Sequence, residues 1–413
     1  MNYIVEKCKL LKNAELELSQ ASTERKNGAL LKVAEALDKN RKDILENNKL
    51  DVKNGENNKM TEGLIDRLRL DDSRIDGIID GIKTVIKLQD PVWKSDRVWT
   101  MENGLTISKM TVPLGVMGIV YESRPNVTVD AFSLALKSGN CILLRGSSSA
   151  INSNIALIKA IKEGLEKSNI PSDVVQFIDN TDREHVLEML KAKDYIDLII
   201  PRGGKDLINF VIENASVPTL QTGEGNCHIF IDESADINKA IAIVKNAKTQ
   251  RVGVCNACET LLVHESIAKE FIPKLYYELK DIIEFRGCEK TNKIISVKHA
   301  IDSDWDEEYL DYILAVKIVG NIDEAISHIN KFSTKHSEAI VTENYTNSNR
   351  FTRLVDASTV YVNASTRFTD GSEFGFGAEM GISTQKTHAR GPIGLEQLVT
   401  TKYIVLGEGQ IRK

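Results

Sequence analysis

The sequence predicts an α/β protein with two doubly wound domains and a β arm. From Pro113 onward, short apolar segments alternate with amphipathic ones, and a second alternation begins at His228. Such alternation is typical of a parallel sheet covered by helices, and for the first alternation we expect a ligand at the carboxyl ends of the strands. Segments 98–112 and 401–406 have the pattern of additional strands outside these two domains.

Composition and charge exclude several classes of partner. At 413 residues the chain is long enough for two or three domains. Its net charge of −6 argues against nucleic acid as a partner, and without an apolar run of about 20 residues we expect no membrane partner. Residues 1–7 lack the pattern of a signal peptide. The six cysteines have no disulfide-framework spacing, so we expect a cytoplasmic location.

Residues 1–90 are predicted to form a helical layer packed on a larger domain. Segments Ala14–Asp38 and Arg41–Asn54 are charged, contain Leu and Ala, and have no proline. Asp71-Asp72-Ser73 is a cluster of N-cap residues before a third helix, Arg74–Leu88, whose apolar side chains share one face.

Segment Val98–Val112 is predicted to be a β-hairpin. Asn103-Gly104 at its centre is a strong signal for a two-residue turn in which both residues have positive φ. Thr401–Leu406 has the composition of one more strand. Exposed strands pair readily with strands of another chain, so these segments predict an arm that joins subunits into a homo-oligomer.

The first alternation contains two strand-to-helix turns that could bind a nucleotide. Its predicted strands are 115–121, 141–145, 174–178 and 195–200, and its predicted helices are 129–136, 146–165, 186–190 and one that opens at 201–204. Arg145 to Ser149 offers a cation, hydroxyls including Ser147, and helix N-terminal amides. Pro201-Arg-Gly-Gly204 offers amides that can approach a phosphate closely. Neither turn is G-x-G-x-x-G, and ordinary turn glycines explain both as well.

The second alternation contains the cysteine that best fits a nucleophile. Its predicted strands are 228–232, 260–263, 315–319, 338–343 and 359–363, and its predicted helices are 236–249, 267–279 and 322–331. Cys255 lies in a glycine-bearing loop between a helix and a strand, with Arg251 before it and Asn256 after it. A thiolate held near a cation and free amides is suited to nucleophilic catalysis.

Other interpretations of Cys255 remain open on the residues alone. A buried cysteine most often only packs in the core. With Cys258 it forms C-x-x-C, the spacing of a redox pair or half a zinc site. The other four cysteines are isolated from one another, and the motif continues into Leu-Leu-Val rather than a helix. We therefore expect no metal.

Three groups of residues, in this order, resemble the aldehyde dehydrogenase superfamily, and most closely its branch that reduces the acyl phosphate of glutamate. They are Ser123–Asp130, Gln250–His264, and Phe374–Ser383 followed by His388–Pro392. The resemblance covers essentially the whole chain. It implies an NADPH-binding domain made of residues 1–97, 113–227 and about 366–395, a catalytic domain 228–365, an oligomerisation arm of residues 98–112 and 396–413, and an active site in the cleft between the two domains.

The resemblance implies the chemistry as well. NADPH would reduce L-glutamate 5-phosphate to L-glutamate 5-semialdehyde and phosphate, the second step of proline synthesis, beside a glutamate 5-kinase. Cys255 would form a thioester, and the amide of Asn126 would bind the oxyanion. The alternatives are a superfamily member that oxidises an aldehyde or acylates coenzyme A, and a non-catalytic protein that keeps the fold.

Cofactor residues follow from the same resemblance. Arg145 with Ser147 matches the basic ribose site, and Arg202, Gly203 and Gly204 match the pyrophosphate turn. Either arginine near the adenosine ribose would favour NADP over NAD. Glu308 matches the carboxylate that holds the nicotinamide ribose, although an acidic surface stretch is an equally good explanation.

One departure from the superfamily concerns water. Gln221 stands about where hydrolytic members have a general-base glutamate, and glutamine is no base. Glu224 lies close enough in sequence to keep hydrolysis open.

Substrate contacts are expected from charged side chains. Arg124 and Arg367 suit the two anionic groups of the substrate, because a guanidinium binds them in a bidentate manner. Asp370 or Glu373 could meet the ammonium. Each of these four could instead form an internal ion pair.

Overall fold

A computed structural model describes residues 3–412, so residues 1, 2 and 413, at the ends of the first domain and the arm, lie outside the described chain. The chain packs into two units. The first comprises the chain up to Gln221 with 375–381 and the segment from Ile393 on, and the second comprises 222–374 with 382–392. Within residues 3–412, none of the helices is both long and apolar enough to cross a bilayer.

The first unit opens with a helical layer, as predicted. Its helices are Tyr3–Ser19, Thr23–Lys39, Arg41–Asn57, Glu62–Leu68 and Asp72–Lys87. The continuous helix expected over 14–38 is wrong, because Ser22 is an N-cap whose side chain accepts from the Arg25 N–H. Buried Asp51 ties the layer to helix Ile151–Glu166 by accepting from the Ser153 amide at 2.7 Å.

A four-stranded parallel sheet follows, in the spatial order 175–177, 141–145, 116–121 and 198–202. Its helices are Asn126–Lys137, Ile151–Glu166, Arg183–Lys191 and Lys205–Asn214. The chain moves outward from strand Val116–Tyr121 on one side and then returns to its other side with Leu198–Arg202. The predicted strand 195–200 is thus shifted, and Pro201 and Arg202 belong to it. This reversal of strand order creates the crevice in which such sheets bind ligands.

The predicted hairpin and C-terminal strand form one antiparallel sheet within the first unit. Thr106–Pro113 lies between Ser95–Thr100 and Val399–Leu406. The turn is longer than the expected two residues, because it is closed by a hydrogen bond from the Met101 N–H to the Leu105 carbonyl. Gly104 has a φ of 86°, whereas the φ of Asn103 is not positive. One glycine in the left-handed region gives the bulged type of hairpin loop.

The second unit is a parallel sheet in the order 298–299, 284–287, 313–319, 258–264, 227–231, 337–341 and 359–362. Helices on its faces include Ile237–Thr249, Glu265–Leu279, Ile322–Phe332 and Tyr345–Leu354. Apolar strand residues such as Leu261 and Phe230 are fully buried beneath them. The sheet agrees with the predicted second α/β domain.

The observed division departs from the predicted one at residues 222–227, which lie in the second unit rather than the first, and in segment 366–395. The prediction assigned it whole to the first domain, but residues up to Phe374 and 382–392 pack in the second unit. The Thr366 hydroxyl donates to the Asn256 carbonyl at 2.7 Å. Arg390 forms an ion pair with Asp356 at 2.8 Å. These long-range bonds hold the segment against the second sheet.

Candidate active site

The predicted nucleophile lies at the amino-terminal edge of the second sheet. Cys255 precedes strand Cys258–His264, Gly225 precedes Cys227–Ile231, and Glu308 precedes Ile313–Val319. These strands are parallel neighbours, so their preceding loops meet at one edge. The sequence analysis expects a ligand at the carboxyl ends of the strands of the first alternation, and that expectation stays a prediction.

The backbone of Cys255 is held from two sides. The buried Cys227 thiol donates to the Cys255 carbonyl at 3.2 Å, and burial keeps that thiol protonated by raising its pKa well above the usual range. On the other side Gly225 lies so close that a β-carbon there would be 1.3 Å from the Cys255 carbonyl oxygen. The Gly225 N–H donates to Glu308 at 2.8 Å. The predicted ribose carboxylate is therefore linked to the nucleophile through one glycine.

Gly225→Ala is expected to lower kcat/KM by about 10²-fold, because the added methyl group must displace the nucleophile loop and small misplacements of reacting groups cost that much. Steady-state kinetics with a thermal melt will measure this. Gly28→Ala is the matched control: it has open space in helix Thr23–Lys39 and should keep activity while gaining about 0.5–1 kcal/mol in stability. Equal activity of both variants would contradict the close approach.

Arg367 packs against the nucleophile loop. Its guanidinium donates to the Asn256 side chain and to Gln250, the latter at 2.8 Å. Burial lowers the pKa of Arg367, the Arg251 charge lowers it further, and the Cys255 side chain opposes both. Arg367 therefore places a positive charge where it acts on the Cys255 side chain. Cys255 is thus a partly buried thiol in cationic surroundings.

The two predicted ammonium-binding residues differ in their surroundings. Asp370 accepts from the Ser372 amide at 2.9 Å and from its hydroxyl, and so closes its own turn. Glu373 is exposed in that turn. Burial opposes the ionisation of Asp370, but its hydrogen bonds with Ser372 and the charge of Arg367 hold its pKa below the usual value. Their contact with substrate stays a prediction.

A buried ion pair lies behind the loop. Lys248, from the helix before Cys255, pairs with Glu259 from the strand after it, and both side chains are 0% exposed. Burial raises the pKa of Glu259 to about 7, although Lys248 opposes the rise. Glu259 also accepts from the Leu310 N–H at 3.3 Å. The pair therefore joins the two sides of the nucleophile loop to the segment that carries Glu308.

Cys258 is excluded as a reactive partner of Cys255. It lies fully buried in its strand, and burial raises the pKa of its thiol. Within residues 3–412, no cluster of three or more His, Cys, Asp or Glu side chains could hold a metal ion. Packing is the role that the structure gives to Cys258.

In the first unit, Asn126 is the first residue of helix Asn126–Lys137 and directly follows Arg124 and Pro125. Its side-chain Nδ2 donates to Asp130 Oδ2 at 2.9 Å. Burial raises the pKa of Asp130 to about 6, while this bond and the charge of Arg202 oppose the rise. Arg202 therefore acts on the partner of Asn126, a relation that the sequence analysis missed. Arg124 itself is half-buried.

A row of hydroxyls crosses the carboxyl ends of two neighbouring strands. Ser147 caps a 3-10 turn by accepting from the Ser149 amide, and its hydroxyl lies 2.7 Å from the Ser149 hydroxyl. Ser149 is in turn 2.9 Å from Ser123. Arg145 is fixed beside them, donating to the Gly146 carbonyl at 2.6 Å and the Thr181 carbonyl at 3.1 Å. Its buried Nε has no partner in the described chain.

The predicted pyrophosphate turn already holds an anion. Gly204, the N-cap of helix Lys205–Asn214, donates its N–H to Glu122 at 2.9 Å. The carboxylate also packs close to Gly203, where a β-carbon would lie 2.7 Å from it and would require it to move. Glu122 was missed because it lies before the motif, although its place directly after a strand was a usable signal.

Comparison with known proteins gives the family. Residues 6–299 match the model of the aldehyde dehydrogenase family. The chain is 62% identical over 413 residues to gamma-glutamyl phosphate reductase of Alkaliphilus oremlandii, covering all of both chains. The crystal structure of gamma-glutamyl phosphate reductase from Thermotoga maritima is 56% identical and covers all of both chains with a TM-score of 0.98.

A more distant structure shares the fold alone. The acetylating aldehyde dehydrogenase from Geobacillus thermoglucosidasius is 17% identical, with a TM-score of 0.70 over 99% of this chain and 97% of the other. The predicted fold class is confirmed. The chain therefore belongs to the aldehyde dehydrogenase family and, within it, to the gamma-glutamyl phosphate reductases.

Proposed function

We propose that this chain reduces L-glutamate 5-phosphate to L-glutamate 5-semialdehyde and phosphate, with NADPH as the hydride donor and Cys255 as the nucleophile. The full-length identity to gamma-glutamyl phosphate reductases supports the reaction. The observation that carries the mechanism is the environment of Cys255. This residue is partly buried, its backbone is held by Cys227 and Gly225, and its side chain interacts with the charge of Arg367. A cytoplasmic location and a place in proline biosynthesis beside a glutamate 5-kinase belong to the same proposal.

The first half-reaction uses residues of the chain alone. The Cys255 thiolate attacks the acyl phosphate carbonyl, and the Asn126 amide stabilises the oxyanion that forms. Collapse of this adduct breaks the bond to phosphate and leaves a thioester on Cys255. Arg124 and Arg367 bind the anionic groups of the substrate, and Asp370 with Glu373 meets its ammonium.

The cofactor is expected at the carboxyl edge of the first sheet. Arg145, Ser147, Arg202 and the amides of Gly203 and Gly204 would hold its phosphates, and Glu308 its nicotinamide ribose. Two observations support this fit: the orphaned Arg145 Nε and the carboxylate that already occupies the Gly204 amide. When bound, NADPH supplies the hydride that reduces the thioester, after which Cys255 leaves as thiolate and aldehyde is released. Arg145 with Arg202 favours NADP over NAD.

Glu122→Gln is expected to tighten NADP binding about two- to fivefold, because it removes a negative charge from a helix N-terminus that should receive phosphate. The glutamine oxygen can still accept from the Gly204 N–H. Titration calorimetry will measure Kd, with Glu213→Gln at the other end of the same helix as the control. Unchanged or weaker binding would mean that the cofactor phosphates lie elsewhere.

The test of the proposed reaction is NADPH formation from glutamate 5-semialdehyde, phosphate and NADP. We expect turnover that requires both phosphate and Cys255, since phosphate must cleave the thioester. Turnover without phosphate would show that water reaches the thioester, so that Gln221 could not be the reason why hydrolysis is prevented. Glu224, which follows Gln221 closely in sequence, would then be the candidate base. Absence of turnover in folded protein would remove the substrate assignment.

The three-stranded sheet supports the proposal of a homo-oligomer. In this sheet 52–61% of the residue surface is exposed to solvent at Val98, Tyr403, Val405 and Leu406. The outer strand Ser95–Thr100 also has one free edge within the described sheet. Exposed apolar strands of this kind pair with another copy. Light scattering of the protein will measure the assembly.

A further inference from the structure

We propose that Asp130 is a positioning residue that fixes which end of the Asn126 amide faces the substrate. This inference rests on the proposed role of Asn126 as oxyanion donor. Its basis is the 2.9 Å bond from Asn126 Nδ2 to Asp130 Oδ2, made one helical turn apart on helix Asn126–Lys137.

An asparagine side chain can present either of two opposite groups. Its Nδ2 donates and its Oδ1 accepts, and a rotation of the amide exchanges them. Only the donor stabilises an oxyanion, whereas Oδ1 would repel it. An asparagine at the start of a helix is not constrained by its own backbone to either arrangement. A neighbouring group must therefore select the useful one.

An ionised carboxylate makes this selection because it can only accept hydrogen bonds. Asp130 therefore bonds to Nδ2 and excludes the rotated amide, which would direct Oδ1 at the carboxylate. Since the amide is planar, binding one Nδ2 hydrogen also sets the direction of the second. That second hydrogen remains for the substrate. A protonated Asp130 could donate to Oδ1 instead and would lose the selection.

The surroundings of Asp130 keep the carboxylate in this role. Arg202, the last residue of strand Leu198–Arg202, is the charged group that acts on it, and its charge favours the ionised form. Helix Asp72–Lys87 approaches through Gly81, where a β-carbon would lie 3.8 Å from Oδ1. That helix therefore brings a glycine rather than a charge to the carboxyl. With the pKa of Asp130 at about 6, the carboxyl is ionised at neutral pH.

The test is a double-mutant cycle on the full chain, using the phosphate-dependent assay. We expect Asn126→Ala to lower kcat about 10²- to 10³-fold and Asp130→Ala to lower it at least about 10-fold with little change in KM. The double variant should be no slower than Asn126→Ala alone, because Asp130 acts only through Asn126. Ser133→Ala, which removes a bond to the Val129 carbonyl on the same helix, is the control and should keep wild-type kcat.

The pH profile gives a second readout that a merely structural residue would not change. We expect kcat of the wild-type protein to fall below about pH 6, as Asp130 takes up a proton, and Asp130→Asn to lack this limb. A loss in Asn126→Ala with none in Asp130→Ala would overturn the inference alone. If neither variant lowered kcat, both the oxyanion role of Asn126 and the positioning role of Asp130 would be overturned. The positioning role would also be overturned if the fold-losses in kcat of the two single variants multiplied in the double variant.

Discussion

Cys255→Ala is expected to lower kcat by on the order of 10⁴-fold or more, because removal of a catalytic nucleophile leaves only binding and oxyanion stabilisation. The protein should remain folded, since Cys255 is partly buried and its backbone contacts with Cys227 and Gly225 do not involve the side chain. The measurement is NADPH formation in the presence of phosphate, alongside a thermal melt.

Cys288→Ala provides the control for that prediction. Cys288 is also partly buried, but its thiol contacts Thr291 at 3.3 Å and the Ile318 amide at 3.5 Å in the second unit. We expect kcat to stay within twofold or so of wild type, as for most substitutions away from the reacting groups. A Cys255→Ala protein that retains more than about a hundredth of the activity would contradict thioester catalysis.

Lys248→Met is expected to lower the free energy of unfolding by about 3–5 kcal/mol, because it leaves Glu259 buried without its partner. Both side chains are inaccessible to solvent, so water cannot replace the lost charge. Urea unfolding will measure the change. The double variant Lys248→Met with Glu259→Leu should recover most of the loss, since no unpaired charge remains.

Lys245→Met on the same helix is the matched control. Lys245 pairs with Glu278 at 3.0 Å, but both side chains are about half exposed. Its loss should cost at most about 1 kcal/mol, as is usual for surface ion pairs. If Lys248→Met were as mild as this control, Glu259 would have to be stable as a neutral acid without lysine.

Most of the fold could be predicted because a buried strand is visible in the sequence as a short run of apolar residues. Segments such as Cys141–Arg145 and Cys258–His264 are short apolar runs between amphipathic helices, and both strands formed there. Strands Glu284–Gly287 and Lys298–His299 were missed because they are very short and carry charges. Glu284–Gly287 pairs with strand Ile313–Val319, and Lys298–His299 pairs in turn with Glu284–Gly287, and no local pattern reveals either pairing.

The site was predictable in its residue types but not in its contacts. The loop around Cys255 carried its own signal, a cysteine beside glycine, arginine and asparagine. The close packing of Gly225 against the Cys255 backbone joins two segments that lie 30 residues apart, and sequence spacing does not reveal such a contact. Asp130 was detectable, because a donor and a carboxylate four residues apart on a helix face each other.

The central claim is that the glutamyl group is carried on the Cys255 sulfur. It is tested most directly by mixing the protein with glutamate 5-semialdehyde and NADP without phosphate, quenching in acid, and mapping peptides by mass spectrometry. We expect a glutamyl adduct on the peptide containing Cys255, close to one per chain, that disappears when phosphate is added before the quench. Turnover with phosphate in the absence of any adduct on Cys255, or an adduct on another cysteine, would contradict the account.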